Sequence, residues 1–263
     1  MTNWKEMPAW QHLQKYRPLL YELVVRDLKV KYRRSFLGYL WSLLNPLLMM
    51  AVMSFVFSYI FRYDIENYPL YLICGQTLWS FFNESTNMAM YSVLQNGSLI
   101  KKVYIPKFIF PMSRVFSSFV TMSFSLGAIL IVMLVTRAPL HWQLLLFPLP
   151  LILLLLFAMG VSMVLSSLSV YFRDVTHLYG VVTLAWMYVT PVFYPVSALP
   201  DEVAWVLKLN PMYYYLDNFR QLVLYGSLPT AKSWCICLLC SGVALAVGLT
   251  VFRKLQRNFI LYL

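Results

Sequence analysis

The sequence predicts an all-α integral membrane protein with six transmembrane helices. Of its 263 residues, 60% are apolar and only 12% are charged, whereas about a quarter of the residues of a soluble domain are charged. The mean hydropathy is +0.67, and apolar runs longer than the roughly 18 residues that mark a spanning helix recur along the chain. Because so little polar surface is available to cover a core, we expect a single domain embedded in lipid.

Six apolar stretches are each long enough to cross a hydrocarbon layer of about 30 Å at about 1.5 Å per residue. They run over Phe36 to Phe61, Pro69 to Leu94, Phe108 to Val135, Leu144 to Val170, His177 to Val196 and Trp234 to Phe252. Backbone groups in lipid must be paired within their own segment, and the alternation of a barrel strand is absent, so the stretches are predicted to be helices. Residues 36–263 then form the transmembrane domain, and residues 1–35 precede it.

The distribution of Lys and Arg predicts that both termini are cytoplasmic. With the N-terminus inside, sixteen of the 21 basic residues lie on the cytoplasmic side. The five that remain outside are Arg62, Arg137, Lys208, Arg220 and Lys232. The positive-inside rule favours this orientation, which also accounts for the formal net charge of +11 without nucleic acid. No signal-peptide pattern is apparent, so we expect the first span to act as the insertion signal.

Residues Arg17 to Arg34 predict an amphipathic helix that lies in the membrane interface. One face of this helix is apolar and another is mostly basic: Leu20, Leu23, Val24 and Leu28 on the first, Glu22, Arg26, Lys29 and Arg33 on the second. The stretch is too short and too polar to span, and such helices turn their basic side toward anionic lipid heads. The alternative is an ordinary basic stretch beside the membrane that sets the topology.

The segment between the fifth and sixth predicted spans, Ser197 to Ser233, is too apolar and aromatic for a simple solvated loop. Pro200, Pro211 and Pro229 divide it, and Asn210-Pro211 is a turn signal. We expect two short helices that are re-entrant or interfacial, because neither is long enough to cross the membrane.

The sequence lacks the motifs of an enzyme. It contains no phosphate-binding G-x-x-x-x-G-K-[ST], its three histidines have no ligand spacing, and its ten acidic residues form no cluster for Mg²⁺. Cys235, Cys237 and Cys240 have a C-x-C-x-x-C spacing, but we predict packing residues rather than metal ligands. The pattern therefore indicates a conduit, with an enzyme acting on polyprenyl-linked sugars as the alternative from another class.

Aromatic residues make up 17% of the chain, and many lie within the predicted spans. Sugar rings stack on aromatic rings, so an aromatic-lined channel would let a glycan slide without tight binding. The alternative is that these residues form interfacial belts and helix contacts. Glu84 is the acidic residue that lies well inside a predicted span, which makes it either a functional site or a hydrogen-bonded contact between helices.

Four stretches, in order along the chain, share a pattern with one family. They are RDLKVKYRRSFLGYLWSLLNPLL (Arg26 to Leu48), SLIKKVYIPKFIFP (Ser98 to Pro111), YFRDV (Tyr171 to Val175), and TPVFYPVSALP followed by LNPMYYYLDNFRQLVLYG (Thr190 to Gly226). Together they resemble the permease subunits of ABC-2 type exporters, and more narrowly those for O-antigen, capsular polysaccharide and teichoic acid. The resemblance extends over nearly the whole chain.

The resemblance implies a homodimer of six-helix subunits paired with two copies of a separate ABC ATPase. ATP and Mg²⁺ would then be bound by the ATPase, and this chain would hold no cofactor. The N-terminal helix and the two short cytoplasmic links between spans would contact the ATPase. The coupling candidates are Arg26, Asp27, Arg33, Arg34, Ser98, Leu99, Lys101, Lys102, Pro106, Arg173 and Asp174. The candidates for the translocation path are Tyr59, Trp79, Phe82, Glu84 and Tyr188.

The function that this resemblance implies is export of a lipid-linked polysaccharide across the cytoplasmic membrane of a bacterium. The pyrophosphate of the lipid carrier would be attracted by the Arg and Lys residues of the interfacial helix. Within the same family, the alternative is an exporter of a small lipid or drug. A secondary transporter would instead predict inverted repeats and buried ion-binding residues.

Overall fold

The computed structural model describes residues 9–31, 33, 35–57, 65, 67–198 and 200–263. Every regular element in this part of the chain is a helix, which confirms the all-α prediction. The α-helices are α1 (Ala9–Lys31), α2 (Trp41–Val56), α3 (Tyr68–Gln95), α4 (Gly97–Lys102), α5 (Ile109–Val135), α6 (Pro148–Tyr171), α7 (Val175–Val189), α8 (Asp201–Leu209), α9 (Pro211–Val223), α10 (Ala231–Leu255) and α11 (Phe259–Tyr262). Short 3-10 turns at Gly38–Leu40 and Trp142–Leu146 precede α2 and α6.

The centre of the bundle is α3, which packs against α5 on one side and α6 on another. Helix α10 packs along α6, while α1 and α2 pack against α5. Fully buried side chains such as Leu72, Leu78 and Phe82 follow one another along α3. In contrast, α2 and α7 bury few of their residues. The core therefore consists of four long helices, with α2 and α7 at its periphery.

Three of the predicted spans agree closely with helices of the structure. Helices α3, α5 and α10 each begin and end within three residues of the predicted bounds. The starts of two of them are set by caps, because the side chains of Asn67 and Thr230 accept hydrogen bonds from the backbone N–H groups of Leu70 and Ser233. The bounds were thus predictable from apolar length, and polar caps fix the starts of α3 and α10 close to the predicted positions.

The fifth span is shorter than predicted. We expected it to continue to Val196, but α7 ends at Val189. Pro191 lacks a backbone N–H and disfavours helical geometry at Thr190, and Pro195 follows closely. The first span is also shorter at its start, since α2 begins at Trp41 after a 3-10 turn. Residues 58–61 of that predicted span lie outside the described residues.

Four helical stretches of the described chain are long and apolar enough to cross a membrane. They are Gly38–Val56, Ile109–Val135, Trp142–Tyr171 and Ala231–Tyr262. Helix α3 is about 42 Å long, but it carries Asn83, Glu84 and Asn87 near its middle. Helix α7 is apolar, yet its 15 residues extend only about 22 Å. The chain is thus a helical membrane protein, and a count of six spans depends on α3 and α7.

The segment between α7 and α10 contains the two short helices that the sequence predicts. They are α8 and α9, separated at Asn210. The Asn210 carboxamide oxygen accepts hydrogen bonds from Met212 N (3.0 Å) and Trp186 Nε1 (2.8 Å), and its Nδ2 donates to Thr190 Oγ1 (2.9 Å). Asn210 therefore caps α9 and fixes it to the end of α7.

Arg220 on α9 connects three parts of the fold. Its guanidinium is buried and donates hydrogen bonds to the backbone carbonyls of Tyr71, Pro191 and Val192. The guanidinium also stacks on the Tyr71 ring, 3.4 Å from the centroid. A Cβ at Gly75 would overlap this group, so a side chain there would displace the guanidinium from its present position. The sequence identified Arg220 only as one of five outward cations, whereas the structure shows that it holds α9 against α3.

Helices α6 and α10 pack backbone to backbone at two glycines. A Cβ added at Gly160 would lie inside the backbone of Ala244 and Leu245. A Cβ added at Gly248 would lie equally close to the Gly160 backbone. Small residues allow helices in lipid to approach closely and to gain dispersion contacts. This contact joins α10 to the rest of the core.

Candidate coupling surface and polar cavity

The α3–α5 link (residues 96–108) presents two lysines at one end of the bundle. Helix α4 is fixed by the buried Ile100, while Ser98, Lys101 and Lys102 are exposed. Leu99 and Pro106 are half-buried. Because a single large apolar residue anchors the short helix, its charged side chains face away from the bundle. Three of the five sequence-predicted coupling residues of this link, Ser98, Lys101 and Lys102, are therefore exposed, whereas Leu99 and Pro106 are only partly accessible.

The α6–α7 link (residues 172–174) is a tight turn with exposed side chains. The backbone carbonyl of Asp174 accepts hydrogen bonds from His177 N and Leu178 N, and the carbonyl of Arg173 accepts one from Thr176 Oγ1. Phe172, Arg173 and Asp174 are all exposed. The backbone thus fixes the turn, and the coupling candidates Arg173 and Asp174 remain available for a partner.

The C-terminal segment (residues 255–263), which the sequence did not identify, contacts both the α3–α5 link and the end of α6 that leads into the α6–α7 link. On the α3–α5 side, Lys107 Nζ donates a hydrogen bond to the backbone oxygen of Gln256 (2.6 Å) and lies 5.6 Å from the centroid of the Phe259 ring. Burial lowers the pKa of Lys107 from its usual value. The side chain of Leu263 lies beside Gly97 of α4.

On the α6–α7 side, the same segment contacts Tyr171. The Tyr171 hydroxyl donates a hydrogen bond to the backbone oxygen of Leu255 (2.8 Å), and its ring lies 4.5 Å from that of Tyr262, centroid to centroid. Phe259 is fully buried between these contacts. The signal in the sequence is an apolar run with two aromatic residues after the final basic residue, which equally suits an interfacial belt. The α3–α5 link and the end of α6 therefore rest on one segment.

Helix α1 is fixed to α5 through Asp27. The Asp27 carboxylate lies 3.1 Å from Arg114 Nη1 and 3.1 Å from Arg26 Nη2, and its side chain is only 3% exposed. Ser117 Oγ on α5 lies 3.5 Å from the same carboxylate, and Leu23 is buried beside it. The amphipathic helix is thus confirmed as a helix, and its inner face packs on protein. Of the coupling candidates on α1, Arg26 is exposed, whereas Asp27 faces the bundle.

We expect Asp27→Asn to loosen α1 without unfolding the bundle. The substitution removes the charge that pairs with Arg114, which weakens docking by about 2 kcal/mol. Cleavage by trypsin after the exposed Lys29, followed over time in detergent, should become roughly thirtyfold faster. Glu22→Gln serves as the control, because Glu22 is an exposed acid on the same helix. Equal cleavage rates in the two variants would show that the ion pair does not hold α1.

The path candidates do not share one surface in the subunit. Trp79 and Phe82 are buried and belong to an aromatic cluster, in which the Phe82 ring lies 5.2 Å from Trp186 and 5.5 Å from Phe157. Tyr188 on α7 is instead 63% exposed. The rings of Trp79, Phe82 and Tyr188 therefore do not form a shared surface within one subunit.

Three further candidates fall at or beyond the edges of the described residues. Arg33 lies in a turn that follows α1, while Tyr59 and Arg34 lie outside the described residues. The assignment of Arg33 and Arg34 to coupling and of Tyr59 to the path stays a prediction.

Glu84 is paired with the end of α1. Its Oε1 accepts a hydrogen bond from Lys31 Nζ at 2.6 Å, and Ser118 Oγ on α5 lies 3.5 Å away. Both charged side chains are one-third exposed, and both line a polar cavity between α2, α3 and α5. Glu84 thus makes a hydrogen-bonded contact between helices, as one hypothesis expected. It also faces a cavity, which keeps the functional-site hypothesis open.

Long apolar helices around a central α3, with two charged and exposed links at one end, define an integral membrane protein. A model of the ABC-2 type transporter family matches residues 5–224. The chain therefore belongs to the ABC-2 type transporter family, as the sequence motifs indicated. Membership makes it a transporter subunit rather than an enzyme, and it implies an ABC ATPase partner.

Curated relatives extend over nearly the full length of the chain. The O-antigen export system permease protein RfbA of Myxococcus xanthus is 31% identical over 251 residues, which cover 95% of this chain and 96% of the relative. A protein of the same name from Klebsiella pneumoniae is 31% identical over 246 residues, covering 92% and 93%. The capsule polysaccharide export inner-membrane protein CtrC of Neisseria meningitidis is 23% identical over 243 residues, covering 90% of each chain.

Proposed function

We propose that this chain is one of two identical six-span subunits of an ATP-driven exporter. The exporter moves a lipid-linked polysaccharide of the O-antigen, capsule or teichoic-acid type out of the cytoplasm, across the inner membrane. The observation that carries this proposal is the similarity, over more than nine-tenths of both chains, to permeases named for O-antigen export. The same similarity favours a polysaccharide over a small lipid or drug.

The driving force comes from two copies of a soluble ABC ATPase, which bind ATP and Mg²⁺. The ATPase contacts the α3–α5 and α6–α7 links, where Lys101, Lys102, Arg173 and Asp174 are exposed. The C-terminal segment supports this role, because it contacts both α4 in the α3–α5 link and helix α6, so a displacement on one side can be transmitted to the other. In the proposed orientation, both termini and both links are cytoplasmic, in agreement with the positive-inside rule.

The second subunit covers the peripheral helices. Apolar side chains such as Val52 and Phe55 on α2 and Val181 and Val182 on α7 are exposed in one subunit. In a dimer built through these two helices, Tyr188 on α7 faces the translocation path between the subunits. The buried aromatic cluster around Phe82 lies behind that wall and stiffens it. Helices α3 and α7 are then the second and fifth spans, and α8 and α9 are re-entrant.

The substrate enters from the cytoplasmic leaflet. Its pyrophosphate is attracted to the exposed basic residues of α1, including Arg26 and Lys29. Because α1 is fixed to α5 through Asp27 and Arg114, movement of the spans also moves this binding surface. Substrate capture and transport are thereby linked.

Deletion of the gene tests the function directly. We expect the lipid-linked glycan to accumulate on the cytoplasmic side of the membrane and the surface polysaccharide to be lost. The measurement is glycan staining of spheroplasts before and after permeabilisation, together with chromatography of extracted lipids. Re-expression of the wild-type chain is the control. If the lipid-linked glycan were not made at all, the chain would act in synthesis, and unchanged surface polysaccharide would point to another cargo.

A further inference from the structure

A polar cavity of about 300 Å³ lies within the subunit, between α2, α3 and α5. Its wall on α3 runs from Gln76 to Glu84, a distance of about 12 Å along the helix. Ser118 and Ser125 on α5 and Asn45 on α2 complete the polar lining. This cavity is separate from the exposed links and from the aromatic cluster around Phe82. A polar cavity inside an apolar bundle is costly unless a ligand or water occupies it.

The lining offers hydrogen-bond acceptors that no described protein group satisfies. Gln76 Oε1 and Thr77 Oγ1 are buried without a hydrogen-bond partner among the described residues, and Thr77 is only 3% exposed. The hydroxyl of Ser125 donates to the backbone oxygen of Ser42 (2.9 Å), so its lone pairs remain as acceptors. The cavity therefore favours an occupant whose groups both donate and accept hydrogen bonds, because the Thr77 hydroxyl can act either way whereas Gln76 Oε1 can only accept.

The charge and shape of the cavity favour a neutral ring over an ion. The Glu84 carboxylate is offset by Lys31 at 2.6 Å, so the wall has no net charge to attract an anion. Rings of Trp41 and Phe81 also line the space and offer an apolar surface. An apolar face combined with outward hydroxyl donors is the chemistry of a sugar ring. The volume lies at the lower end of the range of roughly 300–1,000 Å³ for small-molecule pockets.

We propose that this cavity binds a single sugar unit of the exported glycan, with sugar hydroxyls donating to Gln76 and Thr77. The proposal rests on the proposed function, and it adds a glycan subsite inside each subunit to the path between the subunits. The Lys31–Glu84 pair closes one end of the subsite, and Lys31 belongs to α1, the helix that binds the lipid carrier. Occupancy of the subsite is thus linked to the position of α1.

Photo-cross-linking tests occupancy. Benzoylphenylalanine is placed at Ser80 or Asn45, which both line the cavity and are exposed, in cells that make the glycan. Irradiation should attach glycan to the permease, detected as a ladder with glycan-specific antibody. The control position is Leu238 on α10, which is exposed and lies outside the cavity. If variants that still export gave a lipid adduct, or no adduct, at both cavity positions, the subsite would be overturned. The proposed function would remain intact.

A paired substitution gives an independent measurement. Gln76→Leu with Thr77→Val removes both acceptors at nearly constant volume, and two lost hydrogen bonds should lower the export rate by about tenfold or more. Ser162→Ala is the matched control, because its hydroxyl is also buried and unpaired among the described residues but lies on α6 outside the cavity. ATP hydrolysis by the complex should persist. If the double variant inserted normally and exported at the wild-type rate, the cavity would hold water only. If the wild-type protein did not export glycan, the proposed function itself would be contradicted.

Discussion

Replacing Gly160 by alanine should prevent α6 and α10 from packing and leave little folded protein in the membrane. The added methyl group would overlap the backbone of Ala244 and Leu245, which cannot move aside as a side chain can. Overpacking of this kind costs about 3 kcal/mol or more, a large part of the stability of a domain. The α6–α10 contact is also extensive, so a shift at one point affects the whole length of both helices.

The measurement uses each variant fused to a fluorescent protein and extracted in detergent. Size-exclusion chromatography gives the fraction of the fusion protein that elutes as a monodisperse peak, before and after heating. Gly242→Ala is the matched control, because a Cβ there meets no atom within 4 Å and the residue lies on the same helix as Gly248. We expect this control to behave as the wild type or to be slightly more stable, since alanine favours a helix. A Gly160→Ala protein as stable as the control would show that the backbone contact is looser than described.

Reversing the charges of Lys101 and Lys102 to glutamate should abolish export while insertion stays normal. Both side chains are exposed on α4, and the buried Ile100 keeps the helix in place. The substitutions therefore alter the surface that meets the ATPase rather than the fold. Like-charge contacts across such a surface cost about 3 kcal/mol, or roughly a hundredfold in affinity.

Two readouts separate a coupling defect from a folding defect. Surface polysaccharide should disappear, and the ATPase should no longer co-purify with the variant, while the amount of permease in the membrane is unchanged. Lys232→Glu, an exposed basic residue at the start of α10, is the control on the opposite side of the predicted membrane. Normal export by the double variant would remove the assignment of Lys101 and Lys102 to coupling.

Most of the helical framework was predictable from the sequence, because the lipid solvent imposes long apolar segments. The bounds of α3, α5 and α10 followed from apolar length alone, and the caps at Asn67 and Thr230 became apparent only in the structure. The predicted end of α7 was wrong, because hydropathy continues past Thr190 whereas two prolines stop the helix. A hydropathy profile reflects the apolar content of a stretch, and it does not show where a proline changes the backbone geometry.

The candidate sites were predictable to a smaller extent. The two charged links were predictable because a short charged tip between two apolar helices must lie outside the hydrocarbon layer. Asp27 could be named from the family motif, but its burial depends on Arg114, which lies far away in the sequence. The partners of Arg220 and of Tyr171 are mostly backbone oxygens, which every residue has. A sequence cannot single out such acceptors, and for the same reason it could not locate the cavity at Gln76.

The contact of residues 255–263 with the α3–α5 link and with the end of α6 limits how this transporter can be recombined with its relatives. A chimaera that takes the α3–α5 link from another permease would place foreign side chains against Gln256 and Phe259. One that takes the α6–α7 link with Tyr171 would lose the fit to Tyr262. A change of ATPase specificity by exchange of segments therefore requires three pieces to be transplanted together, although only two of them touch the surface that is being redesigned.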